Sequence, residues 1–422
     1  MSTIPSLALI PSGVKASKVY SVLPTDGSGD FDFTRSGNAT RVNSEGLIEL
    51  VTSNVPRLNY PLIDGVVSGC PSLLLEPERT NLVTYSEDFS NSYWVKTNTN
   101  TSNSVISPDG GLNGTKYTLD ATSSRSQISR SIFSIGTLYT TSVFVKYDSV
   151  KYFYISNAGA DAYRVVFDIE NGIIVSNGAS ITSSKIENYG NGWYRCSSVF
   201  TAAYSTLYLQ FSPNSNGATF TNTTDFSYIY GVQLEAGSYP TSYIPTSGTT
   251  ATRSAETCNN AGDVNTFNDS EGVLMVEIGA LTDDGSYRII SISDGTETQR
   301  ITILYDITDN KIYVQCVNGT TQAFIPFVPQ SISNNNKVAM KYKANDFALW
   351  VNGFEVGTDT NGSIPTGLDT LSFDRGDLLN PFYGNTKQIQ YFDSALTDSE
   401  LETLTSWMSF SDMAIDLNYT IQ

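Results

Sequence analysis

Acidic pairs are the one constellation in this chain whose types and spacing could support catalysis. Glu76 with Glu78, Glu87 with Asp88, Asp283 with Asp284, and Asp374 with Asp377 lie close together in sequence, and cleavage of a glycosidic bond takes two carboxyl groups about 5–10 Å apart. Nearly all of them sit in turn-like settings, where Asp ordinarily caps backbone amides. The chain contains no histidine, which removes the usual general base near neutral pH, the commonest zinc ligand and Ser-His chemistry together. Cys70, Cys196, Cys258 and Cys316 have no paired spacing and are expected to be free, mostly buried thiols. The expectation is therefore a protein that is not an enzyme.

Binding chemistry has more material. Loop carboxylates and carbonyls are what a hard cation takes, so Glu235, Asp306 and Asp309 are candidate calcium ligands, with turn-capping carboxylates as the ordinary alternative and no EF-hand pattern present. Aromatic residues make up 12% of the chain, and their faces can stack on the C–H surfaces of sugars. Trp94, Trp193, Trp350 and Trp407 are expected in the core, the last of them on a terminal helix. Tyr163, Tyr204, Tyr287, Phe382 and Tyr383 lie in or beside turns rich in Gly, Asn and Asp and are the candidate glycan-contacting residues, against loop packing or a subunit contact.

The elements that must carry these residues are strands. Period-two alternation broken by hairpin turns dominates, which reads as all-β. Val165, Phe167 and Ile169 share a face before Asn171-Gly172, a type I′ turn signal, and Phe226, Tyr228, Tyr230, Val232 and Leu234 alternate along a strand. From Glu271 a second series follows, with turns at Asp294-Gly295, Asp309-Asn310, Asn318-Gly319 and Asn352-Gly353. Thr397 and Glu400 form a capping box, Leu396 and Leu401 a hydrophobic staple, and Leu401, Leu404 and Met408 one helical face. The stretch 246–263 is aperiodic and reads as a connector.

With 422 residues, and about 100–200 per domain, the chain divides into an N-terminal region 1–80, sandwiches at 81–260 and 264–410, and a tail 411–422. Only 16% of residues are charged, and 42 acids against 24 bases give a net charge of −18. Nucleic acid and anionic membranes are poor partners for such a surface. No stretch approaches the roughly 20 apolar residues of a spanning helix, and the chain is expected to be made in a cytosol and stay soluble there.

Ala39 to Val51 (ATRVNSEGLIELV), with Cys70 to Trp94 (CPSLLLEPERTNLVTYSEDFSNSYW), resembles a recurrent module of phage tail and head-appendage proteins. Residues 81–245, with NGWYRCSSVF and GVQLEAGSYPTSYIPT, look like the carbohydrate-binding-module-like jelly roll that accompanies it. Residues 264–410, through MKYKANDFALWVNGFEVG and QIQYFDSALTDSELETLTSW, are similar to the concanavalin-like, laminin-G-like family. The resemblance implies two antiparallel jelly-roll sandwiches in tandem after an extended docking region, with one short C-terminal helix. It further implies a virion surface protein, a tail fibre, head fibre or capsid decoration, whose residues 1–80, irregular segments that gain order by packing on neighbours or other subunits, dock to the particle. Such a protein would form a homo-oligomer, most simply a trimer, and present lectin-like domains to host-surface polysaccharide. A purely structural spacer and a carboxylate-based depolymerase are the alternatives, although the long repeats of a β-helix depolymerase are absent.

Overall fold

The computed structural model describes residues 4–120, 125–157, 161–215, 225–308, 310–408 and 410–417. It is all-β, built as two sandwiches, as the alternation predicts. In the first, two six-stranded antiparallel sheets face each other. One holds the strands Tyr152–Ser156, Arg164–Asp168 and Thr206–Ser212 near its middle, the other Leu138–Lys146, Trp193–Thr201 and Phe226–Ala236. Alternate residues from both, among them Val143, Phe153, Phe167, Phe211 and Leu234, form the core.

Two local details depart from the sequence expectation. The 164–177 hairpin exists and buries Val165, Phe167 and Ile169, but its turn is not type I′. Of Asn171 and Gly172 only the glycine has positive φ, at 68°, and the loop is closed by the Gly172 N–H donating to Asp168 C=O at 2.9 Å. The second departure lies in Phe226–Ala236, where the alternating apolar residues do not share one face. Its register against Leu138–Lys146 slips between Ser142↔Gln233 and Phe144↔Tyr230, a bulge seated on Gly231 at φ 61°. Ile229, Val232 and Leu234 therefore face the core, while Tyr230 packs behind the sheet with Phe144, Trp193 and Tyr243. Gly231→Ala is expected to cost about 1–2 kcal/mol from the left-handed backbone alone. The new Cβ would also lie 3.1 Å from the Phe144 and Tyr243 rings; urea unfolding measures the loss, and an unchanged midpoint would remove the bulge argument.

The second sandwich pairs a five-stranded sheet with an eight-stranded one. The hairpin expected at Asn352-Gly353 is present, and φ of 55° and 87° make its turn type I′. The capping box of Thr397 and Glu400 opens the helix Asp398–Thr405, with Leu396 and Leu401 buried beneath it. That helix ends before Trp407, whose Nε1 donates to Asp416 Oδ2 at 2.9 Å, and Met408 is fully exposed rather than on a helical face. A second short helix, Phe410–Asp416, follows.

Residues 4–80 are ordered on their own chain and not as extended arms. Leu7–Leu9 and Ser72–Leu75 both pair with Gly384–Phe392, and Leu7, Leu9, Phe31, Phe33, Leu73 and Leu75 lie in the core of the second sandwich. Nor is 246–263 an unstructured connector. Ala251–Arg253 pairs with Arg79–Asn81 and Thr257–Asn259 with Phe31–Thr34, and Arg253, Glu256 and Cys258 are buried.

A web of buried charge joins these segments where the sandwiches meet. Glu256 Oε1 accepts from Arg35 at 2.7 Å and from Arg57 Nε at 2.9 Å, and Oε2 accepts from Arg57 and from the Glu76 amide. Glu76 in turn holds Arg57 at 2.7 Å and Arg253 at 2.9 Å. Isolated buried charges are prohibitively costly, so the two acids and three arginines make sense only as a set.

Candidate functional site

The five-stranded sheet of the second sandwich turns Ile290, Ile292, Ile301, Ile303, Val314 and Ile325 into the core. Its opposite face would ordinarily be polar, since strand residues alternate between the two sides. Instead Ile289, Leu304 and Tyr313 form a small apolar cluster there, placed in register by Ile289↔Leu304 and Leu304↔Tyr313. Phe324, on the neighbouring Thr320–Phe327 strand, stacks on Tyr313 with ring centroids 4.5 Å apart and planes inclined at 26°. Phe324 remains 48% exposed and Tyr287 41% exposed, so two aromatic rings are offered to solvent on one face.

Around them the sheet and the loop 374–380 enclose an open groove of about 380 Å³, lined also by Arg300, Asp306, Gln315, Arg375 and Asn380. Arg300 donates to Gln315 Oε1 at 3.1 Å, while its Nε is out of contact with solvent and has no partner. Burial, with the Arg375 charge beside it, draws the Arg300 guanidinium below its ordinary pKa. Arg375 is held by Glu297 at 2.9 Å and Asp377 at 2.5 Å. Burial pushes the Asp306 carboxyl up, but hydrogen bonds from Thr308, the Ile307 amide and Tyr313 outweigh it and keep the group ionised. Aromatic faces, an amide, a carboxylate and a guanidinium converge here, the set that recognises the C–H faces and hydroxyls of a sugar.

A larger cavity of about 460 Å³ lies between the sandwiches, lined by Glu76, Phe144, Tyr189, Arg195 and Tyr243 among others. Its rings are engaged with one another, Phe144 standing edge-on to Tyr189 at 4.9 Å and to Tyr243 at 5.8 Å. No free aromatic platform is offered there by these rings, and the groove on the second sandwich is the better site.

Of the sequence candidates, Tyr287 and Asp306 meet in the groove. Phe382 does not; it is 1% exposed and packs edge-tilted on Tyr305 and Phe373 in the core. Tyr383 is partly buried against that core and borders an adjoining depression. Tyr163 and Tyr204 pack against each other at 5.7 Å on the first sandwich, with Tyr204 half exposed, away from the groove. Glu235 is fully buried and occupied by Gln233 at 2.7 Å and by the Thr241 amide and hydroxyl. It is a structural carboxylate and not a cation ligand. Asp309 lies outside the described residues, and among the described residues no three Cys, Asp or Glu gather as a metal site.

The acidic pairs resolve similarly. Asp88, Asp284, Asp374 and Asp377 each accept a backbone N–H from two residues on, as turn carboxylates do, and Asp283 accepts from the Asn310 amide. Glu76 belongs to the buried web, and Glu87 is held by Tyr230 at 3.0 Å and Tyr243 at 2.9 Å, with burial pushing its pKa up. Sequence reasoning missed Phe324, Tyr313 and Arg300. The available signal was parity: in Ile312–Asn318 and Thr320–Phe327 an aromatic stands at the solvent-facing positions that also carry Gln315 and Gln322.

No family model matches the chain, and no curated protein matches it. Among solved structures, the CBM40 of a Ruminococcus gnavus IT-sialidase bound to α2,3-sialyllactose matches at 15% identity and TM-score 0.30, covering 34% of this chain and 91% of that one. Mouse laminin α1 domains LG4-5 match at 10% identity and TM-score 0.23, over 66% of this chain and 90% of that one. A putative carbohydrate-binding protein from Bacteroides ovatus matches at 9% and 0.21, over 77% and 84%. Likeness at this level assigns neither family nor ligand.

Proposed function

We propose that the chain is a non-catalytic glycan-binding protein of a phage virion, which uses the outer face of its second sandwich to hold host-surface polysaccharide. One observation carries the binding: exposed Phe324 stacked on Tyr313 beside Tyr287, Arg300, Gln315 and Asp306 in an open groove. Asp306 is the single carboxylate among the described residues lining that groove, whereas glycoside cleavage takes two. The virion setting draws on the appendage-like sequence module. Each site would bind weakly, and repetition on a particle, as a trimer or higher array, would raise avidity by roughly two to four orders of magnitude.

Phe324→Ala is expected to weaken glycan binding by about tenfold or more, since one stacked ring contributes about 0.5–1.5 kcal/mol beyond the apolar area it buries. Its partial exposure leaves the fold intact. Titration on immobilised host polysaccharide reads the effect, and unchanged binding would reject this face. Attachment to the particle is assigned to residues 1–80. Deleting them would strip strands from the eight-stranded sheet, so the informative variants are Ser substitutions at exposed Ile4, Ile10 and Val22. Normal incorporation of such variants would count against docking through this region.

A further inference from the structure

The groove does not stop at Tyr287. Tyr287 and Asn380 also line a second depression of about 400 Å³, whose far wall is made by Arg79 and Tyr239 from the segments that join the two sandwiches. We infer that the two depressions are one extended groove for an acidic polysaccharide, with one sugar on the Phe324–Tyr287 platform and the carboxylate of a neighbouring sugar received by Arg79. The inference rests on the glycan-binding reading and names the ligand class of that site.

Arginine chemistry carries the argument. The chain has 42 acidic residues for 24 basic ones, so most guanidiniums find a carboxylate: Arg35, Arg41, Arg57, Arg164, Arg253, Arg288 and Arg375 all do. Arg79, Arg125, Arg130, Arg195 and Arg300 make no ion pair with any described residue, and of these Arg300 lies in the first depression and Arg79 in the second. Arg79 is held 5.2 Å from the Tyr239 ring centroid, and donates from NH1 to Glu78 C=O at 3.0 Å. Its Nε is shut off from solvent without a partner. On the floor between them Arg288 is 2% exposed, and its Nε is also unpartnered although Asp284 answers its charge at 2.7 Å. A planar guanidinium fixed over an aromatic ring presents a fork that matches a carboxylate. The net charge of −18 opposes a polyanion only at long range, and at physiological ionic strength it is screened within about 8 Å. Binding should therefore depend on contact rather than on steering.

The test uses the full chain, wild type and as Arg79→Gln and Phe324→Ala. Its probes are oligomers of uronic and nonulosonic acids of increasing length, their carboxyl-reduced counterparts and neutral oligosaccharides. Expected is a preference of about tenfold or more for one acidic series over its reduced form, as for a charge-assisted hydrogen bond. Affinity should also rise from the single sugar to the chain. Arg79→Gln should erase both the acid preference and the length gain, bringing acidic oligomers down to the affinity of their reduced forms, whereas Phe324→Ala should weaken every series alike by about tenfold or more. If neutral or reduced oligomers bind as tightly as acidic ones and Arg79→Gln is silent, the acidic-ligand inference falls while the glycan-binding function stands. If no oligomer of any series binds at millimolar concentration, both fall.

Discussion

Glu256→Gln will lower the unfolding free energy by about 3–5 kcal/mol, the range for removing one partner of a buried ion pair. Both glutamate oxygens are used, by Arg35, by Arg57 twice and by the Glu76 amide, and the Arg35, Arg57 and Glu256 side chains are wholly shielded from solvent. The substitution keeps the shape, so the loss is electrostatic: Arg35 and Arg57 stay charged in a place where water cannot replace the carboxylate. Adding Arg35→Met to Glu256→Gln should recover part of the loss, because an uncompensated cation leaves with it. Denaturant midpoints of the two single variants and the double would show this. A cost below about 1 kcal/mol, the scale of a surface pair, would mean that the web opens to water and does not clamp the junction.

Acid should undo the same junction. Arg253 and Arg57, aided by the Ser242 hydroxyl and amide, overcome burial and hold the Glu76 carboxyl at about 2, below its ordinary 4.5. A depressed folded-state pKa gives stability that is complete above the unfolded value and lost as pH falls through the folded one. Glu76 should thus contribute on the order of 3 kcal/mol at neutral pH, disappearing between about pH 4.5 and about pH 2. Glu87 and Asp374 work in the opposite sense, since burial raises both, and their protonation partly offsets the loss. Stability measured across that window should fall less steeply in Glu76→Gln, which starts lower. Parallel curves for the two proteins would show that other carboxylates govern acid unfolding.

Local signals were legible in the sequence and distant ones were not. The Asn352-Gly353 turn and the Thr397–Glu400 box depend on neighbouring residues alone, and both appear as expected. Turn chemistry at Asn171-Gly172 identified the hairpin but not its loop, because Asp168 captures the Asn171 amide and lengthens the turn. The buried web left no trace, since its partners stand up to 221 residues apart. The polar composition of 246–263 also suits short strands that feed such a web as well as it suits a linker. For the site, turn composition led to Tyr287 as a glycan contact, whereas Asp306 was expected as a calcium ligand and lines the groove instead. The same rule put Phe382 in a binding loop, although that loop dips into the core, and it passed over Phe324 and Arg300 because strands carry them.

The strand Gly384–Phe392 holds Leu7–Leu9 and Ser72–Leu75 along one edge, and Ser72 Oγ donates to a side chain 313 residues further on. At ribosomal speeds that interval takes roughly 15–60 s. During translation the first sandwich can close from its own strands, while the N-terminal segments, with Leu73 and Leu75 still uncovered, wait for the last strand to emerge. The nascent chain is then an open clasp whose two halves are made 313 residues apart, and Leu73 and Leu75 are apolar surface for a chaperone to shield during that interval.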